Sequence, residues 1–478
     1  MRRIYFPFSL LVVVLIFSCS DRHSNLYLEL HSRPQTKTLL SKNLQEEFLI
    51  CETDISNYVT FRLLESKSKG KSLVLSGIST IKWDSIPCLY VLQYEDGFEI
   101  ISADKRSPVP IAVNEHGEFD KSNDPEGFGG HLSLLASEIW MSLNGLLPHP
   151  SQEEHNNIQS SVDFWRMINA DSLFLSKHLN HSKQTLNKGR IPNGYWEMVE
   201  VSSEEEVYDS IPHLTTTLWS QRFNYNYYCP EDRDTNNHIA KCPAGCVAIA
   251  GAQMLYFLHN KTGVPTTSPA SGSCVGFVYD SSYVQNFWNY SSSTWSTMQP
   301  RYYNDTCAAL LVGDIGKRVH MEYGWDGSHG HTQNLVDSVF SPYGWNCLYS
   351  DDYNSSIIVS SLSNGYPVVC AGSRLVRGVK HKGHAFLVDR YKRFRTKTLV
   401  TWRWVPLNND PGGSPILLPP DDKYIYSSPH ILYYGMNWGQ VYTDPNNTWC
   451  SLSGVWQYDS LPPYIYNRRM IYGFTMKE

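Results

Sequence analysis

Apolar and polar positions follow three different rhythms along this chain, and each predicts a different kind of element. The first is an apolar run over residues 5–17, preceded by Arg2 and Arg3 and followed by Ser18-Cys19-Ser20-Asp21. It is too short to span a membrane and has the flanks of a secretory signal, so residues 1–18 are expected to be removed on export. The second rhythm is strand-like. Residues 89–94 and 98–102 flank Glu95-Asp96-Gly97, an Asp-Gly turn between apolar strands that predicts a hairpin. Further strand-like runs fall at 366–371, 385–389, 399–404, 431–436 and 455–458. The third rhythm is helical, at 130–146, at 160–179 and again from Cys246. The helix starting at Cys246 is apolar almost all the way round and is expected to be buried.

The order of these elements predicts two α+β units. Residues 19–200 carry the hairpin and two helices, and residues 201–478 carry a helix first and antiparallel-type strands later, as in domains whose helices are segregated. Between 180 and 212 lies polar, breaker-rich sequence: Lys188-Gly189-Arg190-Ile191-Pro192-Asn193-Gly194, then an acidic run ending at Glu206. Exposed text of this kind is where proteolytic nicking concentrates, so the boundary is placed near residue 200. A second polar, proline-rich stretch over 403–430 reads as a surface insertion.

Composition narrows the function. The 478 residues carry a formal net charge of -6, which leaves no basic footprint for a nucleic acid partner. Only the N-terminal run could tie the chain to a membrane. Ser18-Cys19 resembles the lipobox of bacterial lipoproteins, with Phe17 as a bulky departure, so Cys19 is expected to be lipidated and to become the first mature residue. Eleven cysteines in this length do not make a disulfide scaffold, and spacing assigns no bridge. No Gly-x-Ser-x-Gly elbow or His-Glu-x-x-His pair is present, so serine-hydrolase and zinc-protease chemistry find no support.

The candidate chemistry begins at Gly245-Cys246-Val247-Ala248-Ile249-Ala250-Gly251-Ala252-Gln253, where a glycine gives way to an apolar helix. A thiol at a helix N-terminus ionises more readily than a free one, because unpaired N–H groups and the positive dipole end stabilise the anion. The plainer alternative is a small core residue, since unreactive cysteines are among the most buried side chains. A metal site from His238, Cys242 and Cys246 would need a helix running through Pro243 and Gly245, two breakers. His384, between Gly383 and the apolar run Ala385-Phe386-Leu387-Val388, is placed at the head of a strand, 138 residues after Cys246. In papain-type proteases a histidine and then an asparagine follow the cysteine by about 130–150 residues. Asn437 follows at 191 residues, and the insertion over 403–430 accounts for most of the excess. Separately, His384 could be a core histidine and Asn437 a turn residue ahead of Gly439.

Together these segments resemble the streptopain (C10-type) family of secreted bacterial cysteine proteases, a papain-like branch with an inhibitory propeptide. The family's Gly-Cys-Val-Ala-x-Ala-x-Ala-Gln is matched from Gly245 to Gln253, and its Gly-Gly-His-Ala-Phe-Val-x-Asp from Gly383 to Asp389, with Lys382 replacing the first glycine. Asn437-Trp438-Gly439 matches the asparagine segment, with Gln440 in place of a second tryptophan. Trp219-Ser220-Gln221 with Asn224-Tyr225-Asn226 resembles the oxyanion segment, and Asp96-Gly97-Phe98 through Pro108 resembles the propeptide motif. Residues 451–458 depart from the family's glycine-rich loop.

The resemblance implies an α+β papain-like peptidase domain behind an α+β prodomain. It implies Cys246 as nucleophile, His384 as general base and acid, Asn437 orienting the histidine, Trp438 shielding that contact and Gln221 in the oxyanion hole. It implies peptide or protein substrates, the chain's own propeptide as inhibitor, no cofactor or metal, and a place on the bacterial surface or outside the cell. Two other classes stay open at this point: a catalytically silent surface binder of the same fold acting through its aromatic loops, and a protease inhibitor acting through residues 24–200.

Overall fold

A computed structural model describes residues 44–119, 128–147, 152–171, 174–175, 194–264, 271–274, 277–280, 294–301, 305–374, 382–406, 421–439, 448–450 and 468–478. The signal and Cys19, the strand expected at 455–458, and Gln440 lie outside the described residues. Among the described residues no helix is long and apolar enough to cross a membrane.

The N-terminal module consists of α1 (Glu52–Ser68), β1 (Leu75–Trp83), β2 (Ile86–Tyr94), β3 (Phe98–Ser102), β4 (Ala112–Asn114), α2 (Phe128–Leu143) and α3 (Gln152–Ile168). The hairpin forms where the Asp-Gly turn predicts it, with Gln93 opposite Phe98 and the Tyr94 N–H donating to the Gly97 carbonyl at 3.0 Å. Gly97 has φ +88°, and a Cβ there would run into the Asn114 and Glu115 backbone, so the turn requires glycine. The second helix begins eight residues earlier than the pattern 160–179 suggests, at Gln152, because a polar first turn hides its start. Tyr58 and Phe61 of α1 meet Phe164 and Trp165 of α3 in edge and tilted ring contacts of 5.3–6.2 Å.

The C-terminal unit holds β5 (Gly194–Ile211), a small hairpin of β6 (Glu231–Arg233) and β7 (Ile239–Lys241), and α4 (Cys246–Thr262). A second hairpin, β8 (Ser271–Cys274) and β9 (Phe277–Asp280), precedes α5 (Thr306–Arg318), β10 (Trp345–Ser350) and α6 (Ser355–Ser363). Then come β11 (Val368–Arg374), β12 (Lys382–Pro406), β13 (Asp422–Ser427), β14 (Ile431–Asn437), β15 (Trp449–Cys450) and β16 (Arg469–Met476). The architecture is α+β, as expected: one antiparallel sheet in the order β1-β2-β3-β4-β15-β14-β12-β11-β16-β10, with β5 and β13 paired along β12. The sheet crosses from one unit to the other through Ala112 opposite Cys450 and Val113 opposite Trp449.

Three segments differ from their sequence reading. The runs 385–389 and 399–404 are parts of one 25-residue strand, β12. The acidic run placed in a linker is strand β5, laddered on β12 from Gly194 to Ile211, so a boundary at residue 200 falls inside a paired strand. Its acidic residues face a cationic partner: Glu206 pairs with Arg395 at 2.8 Å and Lys397 at 3.0 Å, Asp209 with Arg393 at 3.4 Å, and Glu205 with Lys392. Each such surface pair contributes little alone, and the backbone ladder carries the strand. Finally, part of the expected insertion is β13, opposite β12 from Lys397 to Trp402.

These outer strands form the floor on which the N-terminal helices sit. Val201, Val400, Trp402 and Tyr426 share one core with Phe61, Phe164 and Trp165. Phe164 meets Tyr426 at 5.5 Å, and the Tyr426 hydroxyl donates to the Ser160 carbonyl at 3.1 Å. Val201 and Val400 are wholly buried, a contribution of about 1.5–3 kcal/mol each.

Two carboxylates of α1 tie this module's stability to pH. Burial pushes Asp54 up, but the Cys51 N–H, Lys105 at 3.0 Å and Asn169 outweigh it and hold the carboxyl below its ordinary range. Burial likewise opposes Glu65, and Arg62 and Lys69 outweigh it. A depressed folded pKa stabilises the module above the unfolded value of about 4, and that contribution is lost as pH falls through the folded one. Proteolytic susceptibility of residues 44–175 is therefore expected to rise on acidification below that value. Asp54→Asn with Glu65→Gln should make the module more susceptible at neutral pH and flatten the acid dependence; an unchanged acid dependence would remove these two groups as its source.

Candidate active site

Cys246 is the first residue of α4, as its sequence context predicts. The preceding Gly245 has φ +86° and ψ 136°, a conformation closed to L side chains, and a Cβ there would strike the Met321 thioether. Ser328 Oγ donates to the Pro243 carbonyl at 2.6 Å, and the Ala244 N–H donates to the Gln221 carbonyl at 2.8 Å. The entry to the helix is therefore held from two sides. Cys246 is largely buried and belongs to the second core cluster, which also holds Ala385 and Leu387 of β12. Its backbone N–H belongs to the first turn, which has no intrahelical acceptor, so it can serve an incoming ligand. His238 lies in the β6–β7 turn, exposed against Asp234 at 3.2 Å, and Cys242 follows β7 before the helix begins, so the three share no helical face.

His384 stands near the start of β12, opposite Gly372 of β11, and is buried. Its Nε2 lies 2.9 Å from the Trp438 carbonyl oxygen. A carbonyl only accepts, so Nε2 carries the proton. Asn437 ends β14, opposite Leu387, and is also buried. Its Nδ2 donates to the Thr217 carbonyl at 2.6 Å and to the Thr215 and Thr217 hydroxyl oxygens at 3.2 and 3.3 Å, while Oδ1 accepts the Gly439 N–H at 3.2 Å. A contact by which Asn437 would orient His384 is not among these; His384 Nε2 donates to the Trp438 carbonyl. Trp438 is buried among rings from both units, Phe386 at 4.6 Å and His131 and Phe128 of α2 at 5.4 and 5.8 Å.

Gln221 is half-buried, and its Oε1 has no hydrogen-bond partner among the described residues. Phe223 and Asn224 follow it with φ +57° and +69°. A bulky residue held there costs on the order of 1–3 kcal/mol, the kind of strain found beside functional loops. Gln253 was quoted from the sequence only as the end of a motif. It is wholly buried two turns into α4, next to Gly439, and neither end of its amide has a partner among the described residues. Contacts thus tie Gln221 to the entry of α4 through Ala244, Gly439 to Ile249 and Gln253 of α4, Gly439 to Asn437, and His384 to the Trp438 carbonyl just past the end of β14. Thr215, Thr217 and Asp389 join them. Asp389 was visible as the last residue of the histidine segment, but nothing in the local pattern marked the threonines.

Residues 219–409 match the model of the peptidase C10 family, in agreement with the resemblance drawn from the motifs. That segment contains Gln221, Cys246 and His384 and ends before Asn437. No curated protein matches the chain. Among solved structures, a prointerpain A fragment of Prevotella intermedia is 17% identical, covering 83% of this chain and 99% of that one, with a TM-score of 0.44. Active wild-type interpain A cysteine protease of the same organism is 18% identical, covering 56% and 97%, with a TM-score of 0.33.

Gly245→Ala tests how much the site depends on this helix entry. A side chain at such a φ and ψ is expected to cost about 1–3 kcal/mol, read as a lowered unfolding midpoint, and to slow alkylation of Cys246. Unchanged stability and labelling would show that the glycine's conformation is dispensable.

Proposed function

We propose that this chain, whose residues 219–409 match the peptidase C10 family, is the precursor of an exported cysteine endopeptidase. The observation that carries the reading is convergence. Four sequence segments far apart in the chain meet at one place: Gln221 through its carbonyl on Ala244, Cys246 on α4, His384 on β12, and Asn437 with Gly439 against Ile249 and Gln253 of α4.

In the proposed reaction the Cys246 thiolate attacks the scissile carbonyl, with His384 as its imidazolium partner. Collapse of the tetrahedral intermediate forms a thioester and expels the amine, which takes its proton from His384. Water, deprotonated by the same imidazole, then cleaves the thioester and restores the thiol. The Cys246 N–H and the Gln221 side-chain N–H donate to the oxyanion, where loss of one donor costs about 2.7–4 kcal/mol. Asn437 Oδ1 accepts the Nε2 proton during turnover, and the Trp438 ring keeps water from that bond. Neither cofactor nor metal is invoked.

The intact chain is held short of this arrangement. With Nε2 committed to the Trp438 carbonyl, and Trp438 wedged under Phe128 and His131, the imidazole does not serve Asn437. Removal of the N-terminal module frees that face of Trp438. We place the removing cut before β5, because a strand laddered along β12 from Gly194 onward stays with the peptidase unit. Export by the N-terminal signal and a lipid anchor on Cys19 complete the proposal.

Mass spectrometry of the exported protein checks these points together. The mature peptidase is expected to begin upstream of Gly194, and the precursor to begin at a lipidated Cys19. A mature N-terminus within 200–211 would contradict the retention of β5. Cys246→Ala should accumulate as uncut precursor with no turnover of casein-like substrates; normal self-processing of that variant would exclude Cys246 as the nucleophile of autoprocessing.

A further inference from the structure

The pairing of β12 with β14 slips by one residue: Val388 faces Met436 and Arg390 faces Gly435, which leaves Asp389 without a cross-strand partner. A bulge of this kind re-aims a side chain out of the strand's regular alternation. The Asp389 carboxylate is wholly buried and meets the segment that follows β5. His213 Nδ1 lies 3.0 and 3.1 Å from its two oxygens, the Thr215 N–H donates at 3.2 Å, and the Thr215 hydroxyl donates to the same carboxylate. The Asp389 carbonyl also accepts the Leu214 N–H at 3.0 Å.

The hydroxyl is the informative member of this set. A carboxylate only accepts, so the single proton of Thr215 Oγ1 is committed to Asp389. What Thr215 then offers Asn437 is a lone pair, which Nδ2 meets at 3.2 Å. The Thr217 carbonyl at 2.6 Å makes the same demand. Both require the NH2 end of the Asn437 amide to point toward residues 215–217 and Oδ1 to point away, where it already accepts the Gly439 N–H. That is the end an imidazole N–H needs. Without the carboxylate the hydroxyl could turn and donate, and an inverted amide would meet less opposition.

We infer that Asp389 is a positioning residue which, by fixing the direction of the Thr215 hydroxyl, sets the orientation of Asn437 toward His384. This rests on the endopeptidase reading and deepens it: the relay runs from a bulge in the strand that carries the base to the group that orients the base.

The test is steady-state turnover of a peptide substrate by the full-length chain after activation, in a double-mutant cycle. Thr215→Val keeps the shape and removes the hydroxyl; it is expected to lower kcat about tenfold or more with KM unchanged, and Asp389→Asn to do the same. Thr215→Ser, which keeps the hydroxyl, should remain within about threefold of the unsubstituted enzyme. In an Asn437→Ala background Thr215→Val should have no further effect, because the group it orients is gone. An equal loss from Thr215→Val with and without Asn437 would overturn the inference, as would a kcat insensitive to Thr215→Val. Should the unsubstituted chain show no Cys246-dependent turnover at all, the endopeptidase reading itself fails; Cys246-dependent turnover that ignores Asp389 and Thr215 sinks the positioning relay alone.

Discussion

The pairing of the long strand β12 with its neighbours is the constraint on which the rest of this molecule depends. Near its start the strand pairs His384 with β11, from Leu387 onward it is laddered to β14 as well, and in its outer half it pairs with β5 and β13. A strand hydrogen-bonded on both sides cannot tilt or slide without breaking two ladders, and the imidazole sits three residues before that doubly paired stretch, on the side already laddered to β11. The same strand's outer half carries Val400 and Trp402 into the core shared with the N-terminal helices. Seating of the N-terminal module and shaping of the site are thus two uses of one element.

Trp438 joins those uses in space. Its ring is gripped by Phe386 from β12 and by Phe128 and His131 from α2, while its carbonyl holds the His384 proton. On the proposed reading, latency needs no distortion of the nucleophile. The thiol remains at the first turn of α4 with an uncommitted backbone N–H beside it, and what is withheld is the partnership of His384 with Asn437. The half-buried Gln221 Oε1 and the buried amide of Gln253 fit an intact chain whose site is assembled but not fully satisfied. A buried donor or acceptor without a partner costs about 1–3 kcal/mol, which release of the N-terminal module could help to recover.

Local patterning revealed the elements whose signals lie within a few residues. The Asp-Gly hairpin, the glycine that opens α4 and the strands bearing His384 and Asn437 are each specified by a short window, and the structure places them where that window does. What stayed hidden depends on partners far away in sequence. Glu205 and Glu206 read as a solvated linker because Lys392, Arg395 and Lys397, which form ion pairs with them, come nearly 190 residues later. Lys423 to Tyr426 looked like part of a polar insertion because Phe164 and Phe174, which meet its tyrosines, belong to the other unit. Thr215 and Thr217 carried no signal either: Thr215 meets Asp389 at a bulge that only the register of β14 creates, and Thr217 meets Asn437, which lies 220 residues away in the chain.

The central claim is that Cys246 is an activated thiol kept silent by the N-terminal module. The most direct measurement is the rate of alkylation of Cys246 at mildly acidic pH, followed by peptide mapping, in the intact chain and after the module has been cut away and removed. An imidazolium-paired thiolate reacts at a pH where ordinary thiols do not. The account predicts slow labelling of the intact chain and labelling at least tenfold faster after removal, with the other thiols left unmodified. Equal, slow labelling in both forms would contradict it and leave Cys246 as a core residue at the start of a buried helix.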